Sequence, residues 1–138
     1  MDSETNIANK RIEIKIFVSS TFLDMQSERD VLKKIVQKYL DERYIEQGIS
    51  VNFIDLRWGW NHREEEKSEL NVLKVCMGEI KDSLPFFLSF LGMRYGWVPE
   101  ESLVRKACSF MTDDDYNMLC GESGISVTEM EILYGAFS

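Results

Sequence analysis

The sequence holds one histidine, two prolines and three cysteines in 138 residues, and each scarcity removes a class of function. Cys76, Cys108 and Cys120 form an odd, widely spaced set with no CxxC and no neighbouring histidine, which supports neither a disulfide framework nor a zinc site. A reducing cytosol is the compartment expected. Any Ser-His-Asp or Cys-His arrangement would have to use His62, which stands beside Arg63 and Glu64 to Glu66 and reads as a solvated side chain. There is no GxGxxG and no GxxxxGKS or GxxxxGKT, so neither a Rossmann dinucleotide loop nor a P-loop lies in this stretch. The longest apolar run, Leu84 to Leu91, is broken by Pro85 and Ser89 and is too short to span a bilayer. The opening MDSETNIANKRIEI lacks the apolar core of a signal peptide. Basic residues are short as well: 24 acids face 16 bases, a formal charge of −8 that disfavours nucleic acid and anionic membrane.

What is present is a chain for one domain, with 44% hydrophobic residues including eight Phe and seven Met to fill a core. Acidity concentrates late, since residues 100–138 carry eight acids against two bases. Residues 1–10 read as a disordered tail. Residues 11 to 18 (RIEIKIFV) alternate and then turn continuously apolar, as a strand entering a covered sheet does. A helix capped by Thr21 or Asp24 is expected next, with Met25, Leu32, Ile35, Val36, Tyr39 and Leu40 on its apolar face and Gly48 as its stop. A second strand is read at residues 49 to 56. Ser68 then caps a helix whose stripe is Leu70, Leu73, Cys76, Met77 and Ile80, with Pro85 blocking its continuation. Leu84 to Leu91 reads as a third, doubly buried strand. Short helices follow at Pro99 to Cys108 and after a Thr112 cap.

The last helix starts near Ser126, where Ser126-x-x-Glu129 and Thr128-x-x-Glu131 each form a capping box and only one can be real. Met130, Leu133, Tyr134 and Phe137 are expected to face the core, and Glu131 to lie near a crevice edge. The helix stops at Ser138 with no Gly or Asn cap and no basic last turn, so the domain of residues 11–138 reads as cut from a longer one. Strands alternating with helices predict an α/β fold, a flavodoxin-like three-layer sandwich whose parallel sheet holds the first strand between the second and the third.

In such sheets ligands bind beyond the carboxyl ends of the strands. The residues standing there are Ser19, Ser20 and Thr21 after the first strand, Asp55, Arg57, Trp58 and Gly59 after the second, and Arg94, Tyr95, Gly96 and Trp97 after the third. Arginine beside an aromatic and a glycine suits a planar anionic ligand, through pairing, stacking and close backbone approach. The same tryptophans and glycines equally close a core and turn a chain, and the arginines equally pair with Asp55 or Glu28. The serines offer hydroxyls to a phosphate, or Thr21 simply caps its helix. A carboxylate from the last helix, over a bound sugar, would suit glycoside-cleaving chemistry.

The stretches Ile16-Phe17-Val18-Ser19-Ser20-Thr21-Phe22-Leu23-Asp24-Met25-Gln26-Ser27-Glu28-Arg29, Asp55-Leu56-Arg57-Trp58-Gly59, Cys76-Met77-Gly78-Glu79-Ile80, Pro85-Phe86-Phe87, Leu91-Gly92-Met93-Arg94-Tyr95-Gly96-Trp97 and Ser126-Val127-Thr128-Glu129-Met130-Glu131 resemble the domain of unknown function 4062 family. The form resembled is the one found near the N-terminus of NACHT and WD40- or TPR-repeat proteins of the telomerase-associated and nephrocystin type. That resemblance implies a TIR-like domain heading a large STAND-class NTPase in the cytoplasm, acting by oligomerisation or partner recruitment, with no cofactor required. Some TIR-related domains also cleave NAD(P), with one glutamate at the start of their third helix. Carried over by position, the catalytic residue is Glu131, with Glu129 second, and Val127-Thr128 stands where TIR domains usually have Trp-Cys. The resemblance thus makes NAD(P) a candidate substrate or ligand, or a nucleotide that is sensed without turnover.

Overall fold

A computed structural model describes residues 11–56, 69–120 and 124–137 of the chain. The expectations for the tail at 1–10, for Arg57, Trp58, Gly59 and His62, and for the Ser68 cap lie outside the described residues.

The strands are β1 (Ile12–Ser19), β2 (Ile49–Ile54) and β3 (Phe87–Ser89), in the order β2-β1-β3 and parallel throughout. This is the α/β flavodoxin-like order read from the sequence, with β1 at the centre. Ile12 pairs with Ile49 and Phe17 with Ile54 on one side, while Phe17 pairs with Phe87 and Ser19 with Ser89 on the other. Period-two alternation sends Phe17 and Ser19 to one face and Ile16 and Val18 to the opposite face.

Between β1 and β2 the chain forms α1 (Gln26–Val31), a π-helical turn at Leu32–Val36, α2 (Gln37–Tyr44) and a 3-10 turn at Ile45–Gln47. Gly48 ends the run at φ 70°, a left-handed value that only glycine adopts without cost, as the sequence predicts. Two expectations fail here. Neither Thr21 nor Asp24 caps α1: Met25 takes the cap position at φ 56°, and the Thr21 hydroxyl instead donates to Asp24 Oδ2 at 2.7 Å. Ile35 and Tyr39 face water, and the packed stripe is Leu32, Val36 and Leu40. The π turn adds residues to one helical turn, and so keeps positions four apart in line with the sheet.

Helix α3 (Glu69–Ser83) buries Leu73, Cys76, Met77 and Ile80. It ends before Pro85, whose missing N–H cannot continue a helix. β3 is three residues long, not eight, and its residues are half-buried rather than doubly covered. Leu84, Phe86 and Leu91 are exposed, because β1 is the one strand that pairs with β3 among the described residues. α4 (Glu101–Ala107) and α5 (Asp113–Cys120) follow, and Thr112 Oγ1 accepts the Asp115 N–H at 3.2 Å as an N-cap. α6 (Val127–Phe137) buries Met130, Glu131 and Tyr134 but leaves Phe137 exposed, against expectation. Phe17, Leu73, Met77, Ile80, Leu119, Met130 and Tyr134 form the main core with α3 to α6, and Val18, Val51 and Phe53 form a smaller one with α1 and α2. Among the described residues no helix is long and apolar enough to cross a membrane.

Candidate functional site

A cleft of about 240 Å³ opens over the carboxyl end of β1. Its floor is Phe17, Val18, Cys76 and Glu131. One wall is Ser20, Thr21, Phe22, Leu23 and Arg29, another is Asp55, Leu56 and Val72, and the third is Arg94, Gly96, Trp97, Val127 and Thr128. Loops after all three strands therefore contribute, together with the N-terminus of α6 and the side of α3. That is where an open α/β sheet gathers its ligands.

The strongest polar contact in the walls joins Arg29 to Asp55. Arg29 is 2% exposed, and its Nε donates to Asp55 Oδ2 at 2.6 Å while its second terminal nitrogen pairs with Oδ1. The remaining nitrogen donates to the Thr21 carbonyl at 2.7 Å and the Asp24 carbonyl at 3.4 Å. This planar, two-pronged pair suits guanidinium to carboxylate. It also fixes the loop after β1 against the loop after β2.

The sequence placed Asp55 here but missed Arg29, since the two are 26 residues apart and no motif joins them. The available signal was an arginine inside a helix that otherwise needed an apolar inner face. Asp55 pairs with this arginine, and Arg94 turns instead to Asp24, whose Oδ1 lies 3.5 Å from its Nε. Arg94 is 59% exposed at the mouth of the cleft.

The two glutamates of α6 have different fates. Ser126 Oγ accepts the Glu129 N–H at 3.2 Å, so the first capping box is the one that forms. Its return bond is replaced: the Ser126 N–H donates to Tyr95 Oη at 3.2 Å, and the Tyr95 hydroxyl donates to Glu129 Oε2. The Glu129 carboxylate, as hydrogen-bond acceptor, raises the Tyr95 phenol above its ordinary pKa. Tyr95 and Glu129 thus bind the loop after β3 to α6 rather than lining the cleft. The Val127 N–H adds a bond to the Trp97 carbonyl at 2.8 Å. Gly96, at φ 94°, fits because a Cβ there would stand 3.1 Å from Thr21 and 3.2 Å from Thr128.

Glu131 is 5% exposed, deeper than the crevice edge expected for it. Its Oε1 accepts the Ser19 hydroxyl at 3.0 Å from behind the cleft floor. Burial raises its pKa from 4.5 to about 8, against the opposing pull of the Ser19 bond and of Arg29. The carboxyl is mainly neutral at pH 7. Burial also pushes the Cys76 thiol well up, with the neighbouring Glu131 adding to the shift, so it is no nucleophile at neutral pH. The Ser20 hydroxyl lies within the cleft wall as a buried group with no hydrogen-bond partner. Among the described residues no group of three or more His, Cys, Asp or Glu is placed to hold a metal ion.

Of the residues singled out from sequence, Ser20, Thr21, Asp55, Arg94, Gly96, Trp97 and Glu131 line the cleft. Ser19 supports Glu131 from beneath. Phe17, Val18, Phe22, Leu23, Arg29, Leu56, Val72, Cys76, Val127 and Thr128 complete it and were not foreseen as site residues.

The chain belongs to the family described as Domain of unknown function (DUF4062), whose profile matches residues 15–136. It is 41% identical over 120 residues to Telomerase protein component 1 of Mus musculus, covering 87% of this chain and 4% of that protein. A TPR repeat-containing protein of Dictyostelium discoideum is 32% identical over 125 residues, covering 86% of this chain and 7% of that protein. Tetratricopeptide repeat protein 41 of Rattus norvegicus is 27% identical over 156 residues, covering 95% and 12%. The chain thus spans between 4% and 12% of the length of these relatives. No solved structure matches the chain.

Proposed function

We propose that the chain is a protein-interaction module of a large multidomain protein, acting by self-association. The observation that carries the reading is the side of β3 away from β1, which has no strand partner among the described residues and is bordered by the exposed apolar side chains of Phe86, Leu91 and Met93, the last 99% exposed. An unpaired strand edge with apolar neighbours is a template for association. Relatives named for TPR repeats support the reading. The resemblance to TIR-like domains of NACHT, STAND-class NTPases with WD40 or TPR repeats gives it a setting, a cytoplasmic signalling protein. Sedimentation of the chain over a wide concentration range tests it. The expected result is association that Leu91→Asp with Met93→Asp weakens at least tenfold; a monomer at every concentration defeats the reading.

A second reading is favoured by the position of Glu131 in the cleft. In it the domain binds NAD(P) or a related nucleotide, and Glu131 serves as the cleaving carboxylate. Chromatography of NAD incubated with the chain, beside Glu131→Gln, tests this. Loss of NAD confined to the parent chain is expected, and equal loss in both, or none, overturns it.

A further inference from the structure

The cleft holds two buried carboxyls and one buried guanidinium. Arg29 directs Nε and one terminal nitrogen to Asp55, and the other terminal nitrogen to backbone carbonyls. Its charge is therefore committed to Asp55. Glu131 is left with a serine hydroxyl and a thiol, both neutral. The groups facing it are Ser19 from β1, Arg29 from α1, Asp55 beyond β2 and Cys76 from α3. Arg94, at the mouth, is paired with Asp24. A buried carboxylate without a counter-charge is expensive, so Glu131 keeps a proton there.

Two further features describe what displaces that proton. The walls are apolar and aromatic, with Phe22 and Trp97 at the rim, a setting that receives a flat cation on its ring faces. The Ser20 hydroxyl, buried and unpartnered in the same wall, is an acceptor waiting for an N–H. We propose that the cleft takes a flat organic cation of the amidinium class, with one N–H on Glu131 and another on Ser20, its apolar body lying against Phe22 and Trp97. Binding releases the Glu131 proton to solvent and leaves a charge-assisted pair in its place. This differs from the planar anion that the arginine and aromatic pattern suggests. The rim arginine is already paired and the inner guanidinium is taken by Asp55, so an ionised Glu131 has no cation of its own. The inference rests on the second reading only in taking the cleft as a ligand site, and not on any turnover.

Benzamidine is the probe, with neutral benzamide and anionic benzoate as its isosteres. Calorimetric titration of the chain at pH 7.5, in two buffers of different ionisation enthalpy, measures affinity and protons together. Benzamidine is expected to bind at least tenfold tighter than either isostere, with release of most of one proton. Glu131→Gln keeps the Ser19 bond, and is expected to lose the tenfold preference and the proton release. Ser20→Ala is expected to weaken benzamidine at least threefold at unchanged thermal unfolding. Equal binding of benzamide, undiminished binding by Glu131→Gln, absence of proton release, or no binding at all overturns the proposal. The NAD assay is scored apart. Benzamidine bound with NAD left intact breaks only the catalytic reading, and NAD consumed through Glu131 without a preference for benzamidine breaks only this one.

Discussion

Phe17 and Val18 leave β1 in opposite directions and enter two unequal halves of the molecule. Phe17 joins a core of eleven buried residues shared among the strands and α3 to α6. Among the described residues Val18 has Val51 and Phe53 as its buried partners, under the π turn and α2, whose Leu32, Val36 and Leu40 are half covered. Hydrophobic stabilisation follows the area removed from water, so the α3 to α6 side supplies most of the folding free energy. The α1–α2 side is held as much by polar bonds. Asp41 accepts the Val51 N–H at 2.7 Å, Gln37 Oε1 accepts the Phe53 N–H at 3.0 Å, and Arg29 clasps Asp55. The cleft lies where the two halves meet, and takes Glu131 from one and the Arg29–Asp55 pair from the other.

The contrast is tested most severely at the clasp. Arg29→Ala removes one partner of a buried pair and strands the Asp55 carboxylate, which costs about 4 kcal/mol. Denaturant unfolding should show that loss; a cost near that of an exposed pair would mean the α1–α2 layer does not depend on it. In the cores, Met77→Ala is expected to cost about 3 kcal/mol, since the side chain is fully enclosed, and Leu40→Ala about 1 kcal/mol beneath its half-open helix. Equal costs at the two positions would erase the difference between the halves.

These halves were unequally legible in the sequence. The α3 stripe is visible because Leu73, Cys76, Met77 and Ile80 follow one helical period with polar residues between them. On the other side Val31, Ile35 and Tyr39 repeat the spacing of Leu32, Val36 and Leu40 one residue away, so period alone cannot choose the inner face. The run LPFFLSFL reads as doubly buried, because continuous apolar character normally means two covered faces. Here it belongs to a strand with one partner among the described residues. The strand ends announced where a cleft would open. Arg29 stayed hidden, because pairing across 26 residues leaves no local trace. The depth of Glu131 was hidden too: it shares the inward face of α6 with Met130 and Tyr134, while Glu129, two positions back on the opposite side, is held by the Tyr95 hydroxyl.

A smaller effect comes from the carboxyl itself. The folded chain holds Glu131 protonated up to about pH 8, while the unfolded chain releases that proton near 4.5. Between those values the folded state binds more protons, so stability falls as pH rises and levels off above about 8. The loss attributable to this group is about 2 kcal/mol from pH 5 to pH 7, and Glu131→Gln should flatten it. Unfolding free energies across that range check both the sign and the size. A profile that rises with pH through Glu131 would place a counter-charge in the cleft and remove the need for one from a ligand.

The smallest expected effect sits at the seam on α6. Tyr95 Oη takes the Ser126 N–H and gives its own proton to Glu129, so Tyr95→Phe leaves an N–H and a carboxylate oxygen without that partner. Tyr95 is 54% exposed, and water replaces much of what is lost. The cost should be about 1 kcal/mol, comparable to losing the Ser126 cap by Ser126→Ala. The two changes differ in what else they release. Ser126→Ala removes a bond internal to α6, whereas Tyr95→Phe loosens the loop carrying Arg94, Gly96 and Trp97, which form one wall of the cleft. Hydrogen exchange separates them: at a similar global cost, Tyr95→Phe should speed exchange of the Val127 amide, bonded to the Trp97 carbonyl, more than Ser126→Ala does. If both variants speed it equally, α6 frays as a unit and the loop merely follows. If only Tyr95→Phe does, the wall of the cleft is held by a phenol that both halves of the molecule could lose without unfolding.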